Sequence, residues 1–188
     1  MGRWQPDARA RLLTAALALY GERGYDETTV AEIAERAGLT KRTFFRYFAD
    51  KREVLFWGAE LLEQQMVAAI EAAPASASAL GLIGAALDAA GDRFEEVREF
   101  AGLRHRIIAS SPELRERELI KLASLASALA GALRRRGVGE PAASLTAEAG
   151  IAVFKIAFGL WIDGDSEQDL PQLIQESLDE LKAVTAGK

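Results

Sequence analysis

The feature that most constrains the fold is the run from Thr28 to Leu55, TTVAEIAERAGLTKRTFFRYFADKREVL, in which two short helical patterns flank a turn at Gly38-Leu39. Val30, Ile33, Ala34 and Ala37 recur at i, i+3, i+4 and i+7, which places them on one buried helical face. In the second pattern Phe44 and Phe48 stand four apart on one side, while Lys41, Arg42, Thr43 and Arg46 point elsewhere. At about 100° per residue, Arg42 and Arg46 fall roughly opposite the phenylalanine seam, with Thr43 beside them. Aromatic anchors beneath a basic, hydrogen-bonding outer face are what a helix entering a DNA major groove requires.

The remainder reads as helix too. Alanine and leucine dominate, β-branched alternation is missing, and Pro and Gly fall where helices end. A first helix is expected from Pro6-Asp7 through Leu12, Ala16 and Tyr20 to Gly24. Thr28 or Thr29 caps a second, with Glu32 completing a capping box, and Thr40 caps a third. Asp50 with Glu53 reads as another capping box, opening a fourth helix that runs to about Ala72. After the loop at residues 73–79, Leu80, Ile83, Leu87, Ala90, Phe94 and Val97 form an amphipathic stripe, which Gly102 is expected to divide from Leu103–Ala109.

Ser111-Pro112-Glu113 starts the next helix, which ends in Arg134-Arg135-Arg136, a triplet suited to the negative end of a helix dipole. The segment from Leu145 to Ile162 carries two apolar stripes, one through Ala147, Gly150, Phe154, Ala157 and Trp161, the other through Leu145, Ala149, Val153, Ile156 and Leu160. A last helix from about Asp169 has a single stripe of Leu170, Leu173, Ile174, Leu178 and Leu181. Surplus apolar surface on these two helices, with small residues permitting close approach, points to a homodimer through the last two helices.

Charge is unevenly placed. The chain has a net charge of −5, yet residues 1–57 hold ten Lys/Arg against eight Asp/Glu, and Thr40 to Arg52 holds five basic residues and one acid, Asp50. Positive charge gathered in one region of an acidic chain is the footprint of a local phosphate contact. Without cysteine, disulfides and thiol chemistry are excluded. No His pair, no His/carboxylate cluster at metal-ligand spacing and no Gly-rich phosphate loop is present, so neither a catalytic site, a metal nor a cofactor is expected. The N-terminus lacks a signal-peptide core and no run approaches 18 consecutive apolar residues, so a soluble, cytoplasmic protein with no membrane partner is expected.

The run ERGYDETTVAEIAERAGLTKRTFFRYFADKREVL resembles the helix-turn-helix block of the TetR family of transcriptional regulators, over roughly residues 10–57. The resemblance implies an all-α fold: a three-helix DNA-binding domain at residues 1–50, then a helical ligand-binding and dimerisation domain at 51–188, with a helix at 51–72 shared as connector. It implies a homodimeric repressor on a palindromic operator, released by a small hydrophobic effector through a shift of that fourth helix. Position by position, Thr29 and Lys51 match residues that meet phosphate. Thr40, Lys41, Arg42 and Thr43 match the start of the recognition helix, and Tyr47 matches a position that reaches the DNA backbone.

Arg46 belongs to the basic face of the same helix. Phe45 stands where the family usually has tyrosine, so a phenolic bond to phosphate gives way to packing on a thymine methyl or sugar. Arg42 stands where a small residue is common, and either reads guanine or holds phosphate. Trp57, Met66, Phe94, Phe100, Phe154, Phe158 and Trp161 are the large side chains available to line an effector pocket. His105, in Arg104-His105-Arg106, either bonds an acidic group on that effector or has a structural or solvated role, such as tying the helical domain to the DNA-binding one. The alternatives are a constitutive repressor with no pocket, and a helical ligand carrier that does not bind DNA.

Overall fold

The structure, a computed structural model, describes residues 7–95, 97–164 and 168–187, and among these the chain is helical, with nine α-helices and no strand. In order they are α1 (Ala8–Arg23), α2 (Val30–Arg36), α3 (Lys41–Tyr47), α4 (Ala59–Ala72), α5 (Ala79–Glu95), α6 (Arg98–Ser110), α7 (Pro112–Arg135), α8 (Ala142–Asp163) and α9 (Leu170–Thr185). The chain divides into two compact units. One comprises the chain up to Trp57 with Gly102–Glu118, the other Gly58–Ala101 with the chain from Leu119 onward.

In the first unit, Asp7 caps α1 by accepting from the Arg9 N–H, and Gly24 ends it; Pro6 lies outside the described residues. Thr29 caps α2 in a complete capping box with Glu32, and Thr40 caps α3. Leu12, Ala16, Tyr20, Ile33, Phe44 and Phe48 are buried, so the faces read from the spacing are the core faces.

The fourth helix begins at Ala59, not at Asp50. Asp50 does accept from the N–H groups of Arg52 (2.8 Å) and Glu53 (3.1 Å). Glu53, however, turns its carboxylate to Arg117 at 2.6 Å instead of back to Asp50, so the capping box does not close. Leu55, Phe56 and Trp57 then bond back only three residues, to Arg52, Glu53 and Val54. The Leu55 carbonyl is taken by Arg104 Nε at 2.6 Å, and Gly58 at φ 92° ends the turn in the left-handed region. The expected single helix over 51–72 is therefore a tight turn followed by a shorter helix.

A second boundary also moves. The break between α5 and α6 falls after Glu95, and Gly102 lies buried inside α6. Glu99 suits the positive end of a helix dipole in the first turn of α6. A buried helical glycine costs only about 1 kcal/mol against alanine, too little to end a helix by itself.

In the second unit α4, α5, α8 and α9 pack on one another around Met66, Ile83, Leu87, Trp161 and Ile174, with Leu129 and Leu133 of α7 in the same core. The small residues of α8 serve this intramolecular packing: a Cβ at Gly150 would collide with Ile83 Cγ1 of α5. The α9 stripe is likewise spent on the core, with Leu170, Leu173, Ile174 and Leu178 buried. The surplus lies on α8, where Leu145, Ile156 and Leu160 are 66, 60 and 53 % exposed. By length and composition α8 could cross a membrane, yet its other face, through Ala147, Phe154, Ala157 and Trp161, is buried in this core. The arginine triplet acts as a helix terminus. Arg134 pairs with Glu140 (2.6 Å), Arg135 with Glu71 (2.7 Å), and Arg136 donates to the carbonyls of Ile70, Glu71 and Pro74 at the end of α4.

Candidate nucleic-acid interface

The turn between α2 and α3 fixes how α3 is presented. Gly38, at φ 64°, donates to the Glu35 carbonyl (2.9 Å) and Leu39 to that of Ala34 (2.8 Å), the paired bonds of a Schellman cap. Arg11 of α1 reaches the carbonyls of Ala37 and Gly38, and a Cβ on Gly38 would stand 2.7 Å from Arg11 Nη2. Glycine is thus required both by the backbone and by the arginine packed on it.

On α3, Phe44 and Phe48 are buried with ring centroids 5.5 Å apart, and Lys41, Arg42, Phe45 and Arg46 are exposed. Thr40 Oγ1 accepts from the Thr43 N–H (3.2 Å), and the two hydroxyls lie 3.0 Å apart. Lys41 and Arg42 make no hydrogen bond or ion pair among the described residues. Nearby acids are occupied: Glu22 by Arg36 (2.5 Å), Glu32 by Arg23 (2.7 Å) and Asp50 by Arg52 (2.6 Å). The hydrogen bond from Arg36 holds the Glu22 carboxyl below its usual range, and the Thr29 N–H does the same for Glu32. For Asp50, burial pushes the carboxyl up, but bonds from Arg52 and two backbone N–H groups outweigh it and hold it down.

Thr29 is exposed, with its hydroxyl donating to Glu32 at 2.8 Å. Tyr47 is half-buried and flanked by two guanidiniums. Arg46 donates to its hydroxyl at 2.9 Å and lies 4.9 Å from the ring centroid, and Arg9 of α1 lies 5.3 Å from the same centroid. Arg9 is the basic residue that sequence reasoning missed, because it is remote from Tyr47 in the chain and only the α1–α3 packing brings them together.

Lys51 is tied into its own unit. Its ammonium donates to the carbonyls of Tyr25 (2.8 Å), Thr28 (2.9 Å) and Asp26 (3.3 Å), and it sits 4.2 Å from the Tyr25 ring centroid. An ammonium has three donors, and all three point into the loop before α2. Tyr20 completes the clip by donating to the Lys51 carbonyl at 2.7 Å, and burial raises the Tyr20 phenol well above its ordinary range, so it remains a donor.

The effector candidates separate. Trp57, 46 % exposed, and half-buried His105 belong to the first unit. In the second unit Met66 is buried in the core and Phe100 is half-buried on α6. Phe94, Phe154, Phe158 and Trp161 come together as one cluster, with successive ring centroids 5.3–5.7 Å apart. A depression of 480 Å³ along α9, lined by Gln168, Pro171, Gln172, Gln175 and Glu176, shares no residue with that cluster.

A capped helix pair with a glycine turn, carrying an outward cationic face on a helical chain, defines a helix-turn-helix transcriptional regulator. The family described as bacterial regulatory proteins, tetR family, matches residues 12–56, and the MftR C-terminal domain matches residues 77–186. The chain belongs to the TetR family. It is 38 % identical over 81 residues to the HTH-type transcriptional regulator TcmR of Streptomyces glaucescens, a match covering 43 % of this chain and 36 % of that relative. The matched stretch thus spans little more than a third of TcmR.

Among solved structures, the TetR family transcriptional regulator PfmR of Thermus thermophilus is 28 % identical, with TM-score 0.52 over 90 % of this chain and 95 % of that one. The transcriptional regulator FadR of Bacillus subtilis, solved in complex with stearoyl-CoA, is 21 % identical with TM-score 0.65 over 92 % and 96 %, a likeness of fold. These relatives are transcriptional regulators.

Proposed function

We propose that this chain is a repressor that binds a palindromic operator as a homodimer and is released by a small hydrophobic effector. The observation that carries the reading is the outer face of α3, with Lys41, Arg42, Phe45 and Arg46 exposed above buried Phe44 and Phe48. In this reading Arg42 reads a base edge, while Thr29, Thr40, Lys41, Thr43 and Tyr47, joined by Arg9 and Arg46, hold backbone phosphates. Lys51 acts one step back, by holding the loop that carries Thr29.

A helix of seven residues reads only part of a site, so a second copy supplies the other half. The face that fits a second copy is on α8, where Leu145, Ala149, Ala152, Ile156 and Leu160 recur three or four apart along one side of the helix. The effector reading rests on the aromatic cluster of the second unit, and it accords with FadR, a protein of this fold that holds stearoyl-CoA. A cytoplasmic location accompanies a DNA-binding role.

Selection of bound sequences from a random duplex pool is the test. An inverted repeat is expected, and recovery of no shared repeat would overturn the reading. Arg42→Ala should lose preference at one position per half-site, by about 1–3 kcal/mol. Light scattering of Leu145→Glu/Ile156→Glu should give a helical monomer with weakened operator binding; a dimer of unchanged mass would remove α8 as the seam.

A further inference from the structure

The outward face of α8 reads nearly the same in both directions about Ala152. Leu145 stands seven residues before it and Leu160 eight after, while Ala149 stands three before and Ile156 four after. Glu148 stands four before and Lys155 three after, so opposite charges occupy places matched in the same way. Both are exposed and make no hydrogen bond or ion pair among the described residues. Seven residues apart, they lie within about 20° of each other around the helix, along one edge of the apolar stripe, and about 10 Å apart along its axis.

Such a face fits its own copy. A two-fold contact is self-complementary, so a residue before the axis meets one after it. When two α8 helices run antiparallel across a two-fold axis at Ala152, Leu145 comes opposite Leu160 and Ala149 opposite Ile156. The same edge of each helix then meets the other, and Glu148 faces Lys155 twice, once on each side of the axis. In a parallel pair those edges fall on opposite sides of the seam, and the charges do not meet.

We propose that α8 packs antiparallel on the α8 of a second copy about Ala152, and that reciprocal Glu148–Lys155 pairs fix the register. The inference rests on the homodimer reading above and gives it an orientation and a selecting pair. That pair also sorts partners: an equally apolar helix with an acid or a neutral residue in place of Lys155 leaves Glu148 facing like charge or none.

The chain has no cysteine, so a single introduced thiol reports the register. Under mild oxidation Ala152→Cys should run as a disulfide-linked dimer on a denaturing gel. Ala149→Cys and Ile156→Cys should each stay unlinked alone and link when co-expressed, because Ala149 lies about 10 Å from its own copy along the axis, beyond a disulfide's reach. Linking of Ala149→Cys to itself, or no link in the co-expressed pair, would overturn the antiparallel register.

Charge reversal reads the selecting pair. Glu148→Lys and Lys155→Glu should each weaken the dimer about ten-fold or more in sedimentation, because each sets two like-charge contacts in the seam. Mixing the two variants, or placing both changes in one chain, should recover it. An unchanged dimer constant in the single variants, or no recovery in the double one, overturns the pairing. The mass of the unaltered chain separates the two readings. A dimer that fails these tests loses the register and keeps the homodimer reading, whereas a monomer at every concentration removes both.

Discussion

A lysine that grips phosphate and a lysine that clips a loop fail differently when removed, and Lys51 can be sorted by that difference. Lys51→Met keeps the aliphatic stem and deletes the bonds at 2.8, 2.9 and 3.3 Å to the Tyr25, Thr28 and Asp26 carbonyls. Each charged hydrogen bond is worth about 1.5–3 kcal/mol when protected, but this side chain is half-exposed and water replaces part of what is lost. A net cost of about 1–2 kcal/mol follows, which for a chain of this length lowers Tm by about 2–8 °C. The loop carries Thr29 and the start of α2, so affinity falls for every duplex, specific or not. The slope of log affinity against log salt, however, stays unchanged, because no phosphate contact is removed. Differential scanning calorimetry and fluorescence anisotropy across a salt series read both quantities on one preparation. An unchanged Tm with a slope reduced by about 0.9 would refute the clip and place Lys51 on a phosphate.

Gly38→Ala should destabilise by about 1–2 kcal/mol, the cost of a left-handed non-glycine residue, and it should displace Arg11 from its carbonyls; a denaturant midpoint equal to wild type would contradict this. Gly150→Ala drives a methyl into Ile83 Cγ1 and should cost about 1–3 kcal/mol through overpacking. Ile83→Ala in the same chain should recover part of that cost, with a coupling above about 0.5 kcal/mol; strict additivity of the two changes would mean that the helices do not meet there. The carboxyls of Glu22, Glu32, Asp50 and Glu140 all lie below their ordinary ranges in the folded chain. Their stabilisation is therefore complete above the unfolded values near about pH 4 and is lost as pH falls through the lower folded ones. Tm should hold between neutrality and about pH 5 and then drop, less steeply in Asp50→Asn; a flat profile into strong acid would refute the assignment.

Local signals carried the head and failed at its junction. Thr29, Glu32, Thr40 and Gly38 act on neighbours a few residues away, so their caps and turn could be read directly from spacing. Asp50-x-x-Glu53 has the same pattern, yet Glu53 is claimed by Arg117 and the Leu55 carbonyl by Arg104, partners far along the chain that no local rule anticipates. The same limit hid Arg9 beside Tyr47 and the loop partners of Lys51. In the second unit the periodicity of α8 identified both stripes, but it could not say which neighbour each would meet. Gly150 turned out to serve α5, and of the second stripe Val153 is buried while Leu145, Ile156 and Leu160 are exposed.

An acidic chain can present a DNA-reading face because charge acts here over short distances. At physiological ionic strength the Debye length is about 8 Å, so carboxylates farther than that from a phosphate docked on α3 are screened from it. What matters is the charge within that radius. In the first unit the acids Glu22, Glu32 and Asp50 are each bound to an arginine, while Lys41, Arg42 and Arg46 remain exposed. Lowering the salt lengthens the screening distance to about 30 Å at 0.01 M and lets the net charge of −5 be felt. Association rates should accordingly rise less steeply at low salt than for a basic domain with the same contacts. Replacing exposed acids of the second unit, such as Asp179 and Glu180, with neutral residues should restore the steeper rise without altering affinity at physiological salt. Stopped-flow association across a salt series decides it, and identical rate curves for the two chains would show that the body's charge plays no part.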